Sequence, residues 1–402
     1  MYLHLIADLY PSSLRINFIP LMKTNTIGTP PGTLLCFSHL RWDFVYQRPQ
    51  HLLSRFAKAS TVCFFEEPVF DSQEQNYLSI QSKSPTLSIV VPHLRHGLND
   101  EEVILAQAQL LKQFTATIDM DDCMFWYYTP MALKFSMQLA PKFIVYDCMD
   151  ELSAFDFAPP ELVQLEKQLL SIADIVFTGG HSLYEAKKNQ HANIHPFPSA
   201  IEKEHFEKAR IKLAEPQDQA WIEGPKIGFY GVIDERFDIG LIEEMAIAQP
   251  KWQFVLIGPV VKIDQNTLPR NKNIHYLGQK SYAELPNYLS HWDVAMIPFL
   301  LNESTAFISP TKTPEYLSAG VPVVSSMIKD VINPYGIQHL VHICSGTVNF
   351  MEAIESELNK SCPKAWLQKV DEFLKDVSWD ATYKTMNNKI CETMNKQISI
   401  AS

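Results

Sequence analysis

The chain has no apolar run near the ~18 residues that a membrane span needs. Its seven cysteines, Cys36, Cys63, Cys123, Cys148, Cys344, Cys362 and Cys391, are scattered and odd in number. None forms a C-x-x-C pair, which fits a reducing compartment and argues against a structural zinc site. His191 and His195 have ligand-like spacing but lack a third ligand, so no metal is expected. Basic residues are outnumbered, 34 against 45 acidic, for a net charge of −11. That balance makes non-specific nucleic-acid binding a poor reading. The N-terminus "MYLHLIADLYPSSLRINFIPLMK" carries Asp8, Pro11 and Arg15, without a basic start and a clean apolar block, and is not read as a signal peptide. No G-x-G-x-x-G, P-loop lysine motif or G-x-S-x-G occurs. These absences disfavour flavin or nicotinamide chemistry, NTP hydrolysis and serine esterase activity.

What remains is an ordinary globular composition, 46% hydrophobic and 20% charged over 402 residues, with apolar material for two cores. Short apolar strands alternate with amphipathic stretches: "TLLCFS" (33–38), "TVCFF" (61–65), "CMFWYY" (123–128), "KFIVYD" (142–147) and "ADIVFT" (173–178). Such runs with helices between them predict a parallel sheet buried on both faces. Residues 76–92 read instead as a hairpin. A polar stretch, 199–225, looks like an interdomain connection. A second βα series follows in "KIGFYG" (226–231), "WQFVLIG" (252–258), "NIHYLG" (273–278), "DVAMI" (293–297) and "VPVVSS" (321–326). The expectation is α/β, with two doubly wound domains and a ligand cleft between the carboxyl ends of their sheets. The tail from Pro363 to Lys396 has a helical pattern, with Ser378 as an N-cap.

The most informative stretch is "SPTKTPEYLSAGVPVVSS" (309–326). Ser309 or Thr311 can cap a short helix, a proline suits its first turn, and Gly320 suits its end. A helix N-terminus attracts phosphate, and Lys312 adds a full charge. Glu315, one turn in, can accept hydrogen bonds from vicinal sugar hydroxyls. The pair suits a nucleoside diphosphate. The competing reading makes Glu315 a helix-dipole partner and Lys312 a solvated surface residue.

This stretch resembles the donor-binding segment of GT-B glycosyltransferases. "KIGFYGVIDERFDIGLIEEMA", "NIHYLGQKSYAELPNYLSHWDVAMIPF" and "VSWDATYKTM" are similar to three further segments of that family, in family order. The resemblance implies a GT-B fold with five parts: an N-terminal extension (1–32), an acceptor domain (33–198), a connection (199–225), a donor domain (226–378) and a C-terminal helix crossing back (379–402). It implies that Gly231 lets backbone approach the phosphates, that Arg236 is a second diphosphate cation, and that Tyr276 and Gly278 border the base. Arg236 could otherwise be a surface ion pair with Asp234 or Asp238. Retaining members often carry a glutamate eight positions before the ribose glutamate. Here that position is Phe307, which leans toward an inverting mechanism with a base from the first domain. The Asp-x-Asp of "DMDD" (119–122) precedes a strand, whereas a metal-binding Asp-x-Asp of the other large glycosyltransferase fold follows one.

For that base the sequence offers Asp150 first and Asp147 second, in "VYDCMDELSAFDF" (145–157). The run "DEL" is similar to an acidic loop in xanthan-type glucuronosyltransferases. Helix capping by Asp150 or Ser153 is the alternative. His39, Arg41, Trp42 and Arg48 form a polar and aromatic cluster after the first strand, resembling an acceptor loop of transferases acting in surface polysaccharide assembly. Gly180 and His181 follow another strand and face the cleft by position. The resemblance thus implies a cytoplasmic, metal-independent transferase without cofactor, peripheral at the inner membrane face if its acceptor is lipid-linked. Its donor would be a nucleotide-diphosphate sugar, UDP favoured, and its acceptor a glycan or lipid-linked saccharide. A nucleotide-sugar epimerase and a catalytically degenerate binding protein are the rival readings.

Overall fold

The computed structural model describes residues 30–156, 158–360 and 364–401. Residues 1–29 of the expected extension, Cys362 and Pro363 lie outside the described residues.

The first sheet contains β1 (Thr33–Phe37), β2 (Thr61–Phe65), β3 (Val69–Ser72), β4 (Tyr77–Ser84), β5 (Leu87–Arg95), β6 (Cys123–Tyr127), β7 (Phe143–Cys148), β8 (Ile175–Thr178) and β9 (Ile194–Pro196). Their order is β3-β5-β2-β1-β6-β7-β8-β9, with β4 paired antiparallel to β5. The expected hairpin is this β4–β5 pair. Successive side chains of a strand point to opposite faces. Leu34 and Cys36 of β1 therefore enter one core, and Leu35 and Phe37 the other. The first core is closed by the helices Arg48–Phe56 and Trp379–Ala401, the second by Asp100–Thr115 and Leu162–Ile172.

The second sheet contains β10 (Lys226–Tyr230), β11 (Gln253–Ile257), β12 (Ile274–Gly278), β13 (Val294–Ile297), β14 (Val323–Ser326) and β15 (Val341–Cys344), all parallel. Its order is β12-β11-β10-β13-β14-β15. Strands β3, β9 and β15 were not expected from sequence. They are three or four residues long, too short to show a period.

The connection is a packed strut rather than a free tether. Ile201, Phe206, Ala209 and Ile222 are buried in the second domain's core. Arg210 donates to the Ser318 carbonyl at 2.8 Å and pairs with Asp371 at 2.6 Å. The helical pattern of the tail resolves into two helices. Lys364–Leu374 buries Val370 and Leu374 in the second core. Trp379–Ala401 returns to the first domain, where Trp379, Met386, Ile390 and Met394 are buried. Ser378 caps that helix, its Oγ accepting from the Ala381 N–H at 3.1 Å. Among the described residues no helix is long and apolar enough to cross a membrane.

Strand order reverses at β1/β6 in one sheet and at β10/β13 in the other. Ligands of doubly wound sheets bind at such points, outside the carboxyl ends of the strands. The loops after β1, β7 and β8 face those after β10, β11 and β13 across a cleft of about 850 Å³.

Candidate active site

On the second domain's side, the cleft wall is built around the helix Lys312–Ser318. Thr311 stands at its N-cap without a side-chain bond to the helix. Ser309 does not cap either: its carbonyl accepts from the Ser199 hydroxyl at 2.6 Å, tying the helix entrance to the segment that leaves the first domain. Gly320 ends the helix at φ +79°. Lys312 is half-buried, its Nζ 5.6 Å from the Phe229 ring and 5.8 Å from the Phe299 ring. Burial, with Arg236 nearby, holds its pKa below the ordinary lysine range. Glu315 is buried and accepts a hydrogen bond from the Tyr230 hydroxyl. Burial pushes its carboxyl above the usual carboxylate range. Lys312 is therefore not the solvated surface group of the competing reading.

Gly231 closes β10 at φ +142°, and a Cβ there would lie 2.1 Å from Lys312 Cε. The glycine thus makes room for the lysine. Gly258, which the sequence reading passed over, stands at φ +143°, and a Cβ on it would lie 1.8 Å from the Gly231 carbonyl oxygen. The two strand ends approach backbone to backbone. Gly-after-strand in both "FYG" and "LIG" was the available signal.

Arg236 lines the cleft in an ion pair with Asp234, at 2.6 Å. The pair is not on the surface: Asp234 is buried, and the guanidinium lies 5.1 Å from the Phe155 ring of the first domain. Tyr276 is half-buried with its hydroxyl donating to the Pro269 carbonyl at 3.3 Å, outside the cleft wall. Gly278 is exposed at φ +70° with open space around it. It leads into Gln279, Lys280, Ser281 and Tyr282, which do line the cleft.

From the first domain, Asp150 enters the cleft just beyond the end of β7. Among the described residues its carboxylate accepts no hydrogen bond. Burial pushes its pKa up to about 6, against the pull of Arg236 and Arg48. Asp147 is different. It is fully buried, and Arg48 Nε stands 3.1 Å from both its oxygens, with Nη2 at 2.8 Å from one. It is a buried counter-ion that cannot reach an acceptor, which corrects its place as second candidate base. Arg48 also donates to the Phe197 carbonyl at 2.7 Å. Neither Asp150 nor Ser153 caps a helix: Ser153 Oγ bonds Glu151 at 2.8 Å.

The cluster after β1 divides. Trp42 and Arg48 line the cleft, the Trp42 ring edge-on to Phe64. His39 and Arg41 do not line it. Burial and Lys262 lower the His39 pKa to about 4, and its Nδ1 is buried without a partner among the described residues. Arg41 donates to Glu66 at 2.9 Å and to the Glu67 carbonyl at 2.6 Å, bracing its own loop. Gly179 rather than Gly180 lines the cleft. Gly180 accommodates the second domain, since a Cβ there would fall 2.1 Å from Asp330 Oδ2, and His181 is exposed. Phe307 lies beneath Lys329, whose Nζ is 5.2 Å from the ring, and supplies no carboxylate to the cleft. Residues 119–122 form one turn ahead of β6. Bridging contacts that the sequence did not suggest hold the domains together: Tyr46 stacks on Tyr282 at 4.7 Å, and the Gln279 amide donates to the Phe44 carbonyl.

Residues 224–360 match the family model of group 1 glycosyl transferases. The chain is similar to a putative teichuronic acid biosynthesis glycosyltransferase, TuaH, of Bacillus subtilis, at 24% identity over 306 residues, covering 71% of this chain and 72% of that protein. Among solved structures it resembles sucrose-phosphate synthase from Thermosynechococcus elongatus (TM-score 0.70, 14% identity, covering 92% and 100% of the two chains). It also resembles a trehalose-6-phosphate protein from E. coli bound with UDP-2-fluoro glucose (TM-score 0.63, 14% identity, covering 91% and 98%). At these identities the structural likenesses speak for the fold alone, which is GT-B.

Proposed function

We propose that this group 1 glycosyltransferase of GT-B fold transfers a sugar, with inversion, from a UDP-sugar to a growing glycan or lipid-linked saccharide. The observation that carries the reading is the placement of four side chains across the cleft. Arg236, Lys312 and Glu315 stand on one wall and Asp150 on the other. Lys312 and Arg236 pair with the diphosphate, and Glu315 accepts from the ribose. An anionic donor offsets the burial that depresses the Lys312 pKa. Asp150 takes the proton of the acceptor hydroxyl as its oxygen attacks the anomeric carbon. The leaving diphosphate gathers charge beside the two cations, so they stabilise the transition state without a metal. A base on one wall and leaving-group cations on the other suit a displacement from opposite sides. Phe307, at the position where retaining members of the resembled family often carry a glutamate, supports the same stereochemistry. The E. coli structural relative is bound with a UDP-sugar, which supports UDP. The Bacillus subtilis relative is named for teichuronic acid biosynthesis, which supports a polysaccharide acceptor. Action on a lipid-linked acceptor would place the enzyme peripherally at the cytoplasmic face of the membrane.

A thermal-shift screen against UDP-, GDP-, CMP- and dTDP-linked sugars tests the donor. A ligand at a hundredfold its Kd stabilises by about 2.7 kcal/mol. Proton NMR of the product then reads the anomeric configuration. Retained configuration would remove the inverting mechanism. Conversion of the donor to its epimer without acceptor would replace transfer by isomerisation.

A further inference from the structure

Asp150 sits in a loop with little regular structure, yet a base must hold its place to a fraction of an ångström. The structure shows what packs against the loop. Beneath it lies a buried ionic cluster that the transfer chemistry leaves unused. Lys187, at the end of the helix His181–Lys187, donates to both oxygens of Glu166, at 2.9 and 2.8 Å. The same ammonium reaches the Glu151 carboxylate at 2.8 Å. The Lys187 side chain is 4% exposed and that of Glu166 10%. The Tyr146 hydroxyl donates to Glu166 at 2.7 Å. Glu151 is the residue after Asp150, and its other oxygen accepts from Ser153 at 2.8 Å. On the other side of Asp150, a Cβ on Gly179 would lie 2.2 Å from the Met149 carbonyl oxygen, so the loop rests directly on that glycine.

A buried ion cluster of this kind is weak evidence for stability, because desolvation offsets much of the attraction. Its better-supported use is to impose one geometry. We propose that Lys187 is a positioning residue for the base: by clamping Glu151 to the buried Glu166, it fixes the loop that presents Asp150 to the acceptor. The inference rests on Asp150 being the base. It assigns Lys187 no contact with either substrate, since Lys187 lies outside the cleft wall.

The test compares Lys187→Met, Lys187→Arg and Glu151→Gln in the full chain. The last removes only the loop's link and leaves the buried Lys187–Glu166 pair intact, so it stays informative if Lys187→Met fails to fold. Three quantities are read: UDP binding by calorimetry, UDP release from a panel of UDP-hexoses, and the carboxylate titration of Asp150 by carbon NMR, assigned by its loss in Asp150→Asn. A displacement of about 1 Å can cost a hundredfold in rate. Glu151→Gln is therefore expected to lower kcat by about ten- to a hundredfold, with UDP affinity within about twofold of wild type, and Lys187→Arg to recover most of the rate. The Asp150 titration should move in Glu151→Gln. The charges acting most on Asp150 are Arg236, Arg48, Asp234 and Lys312, so a moved titration reports a moved carboxylate. Unchanged turnover and an unchanged titration in Glu151→Gln overturn the proposal while Asp150→Asn remains inactive. Equal loss of UDP binding and rate would also overturn it, by showing a merely structural role. Full activity in Asp150→Asn would instead remove the base assignment beneath it.

Discussion

Replacing Asp150 by asparagine should stabilise the protein at neutral pH while abolishing turnover. The argument begins from burial. Burial pushes the Asp150 pKa from 3.8 to about 6, with Asp234 adding to the rise and Arg236, Arg48 and Lys312 opposing it. A carboxyl whose pKa is higher in the folded chain favours folding when protonated. That contribution is complete below about pH 4 and is lost as pH rises through about 6. At pH 7.5 the ionised side chain therefore costs up to about 3 kcal/mol, at about 1.4 kcal/mol per pH unit of displacement. Asparagine keeps the shape and removes the charge. Melting curves of wild type and Asp150→Asn should coincide near pH 4 and separate by a few degrees at pH 7.5, with the variant higher. Turnover responds in the opposite sense. On the proposed mechanism the ionised form is the base, so kcat/KM should fall about tenfold per pH unit below 6, and the variant should lose about 10²–10⁴-fold at pH 7.5. Coincident melting curves at every pH, together with a flat kcat/KM between pH 5 and 7, would falsify the buried-base argument.

Lys312→Ala should weaken UDP binding by about ten- to a hundredfold, at 1.5–3 kcal/mol for a charge-assisted contact, and leave uridine binding unchanged; calorimetry with both ligands separates a phosphate contact from a general collapse of the site. Glu315→Gln should weaken UDP and uridine alike, by about tenfold, and an effect confined to UDP would move Glu315 away from the ribose. In Gly231→Val the new side chain meets Lys312, whose Cε would lie 2.1 Å from the added Cβ, so UDP affinity should fall at least tenfold, by about 1.4 kcal/mol or more; unaltered affinity would show that the lysine has another place to stand. Arg48→Met leaves Asp147 buried and unpaired, at a cost of about 3–5 kcal/mol, and denaturant unfolding that shows less than 1 kcal/mol would mean that the pair is solvated.

Much of the fold was legible because parallel strands buried on both faces must be continuous apolar runs. "CMFWY" of β6 could hardly be anything else, and all five of its residues are buried. The Lys312–Glu315 spacing was legible for a similar reason, since three residues along a helix bring side chains to one face. Arg48 and Asp147 could not be paired from sequence: they lie 99 residues apart, and each alone reads as a cleft residue. The same limit applies to Lys187, which looks like any polar residue on an amphipathic helix until Glu151 and Glu166 converge on it.

Local order was thus determined by the chain itself: where strands run, where helices begin, and which loops follow strand ends. Those features depend on hydrophobic period and backbone preference, which act over a few residues. Which strand-end acid is left unpaired at the cleft was decided only in three dimensions. Asp147 and Asp150 are near neighbours in the same segment, but a guanidinium from 99 residues away occupies one, and burial without a hydrogen-bond partner among the described residues raises the pKa of the other to about 6. Charge interactions depend on distance through space and on local desolvation; for Asp147 both are set when the first domain folds, and for Asp150 only when the second domain's Arg236, Asp234 and Lys312 face it across the cleft.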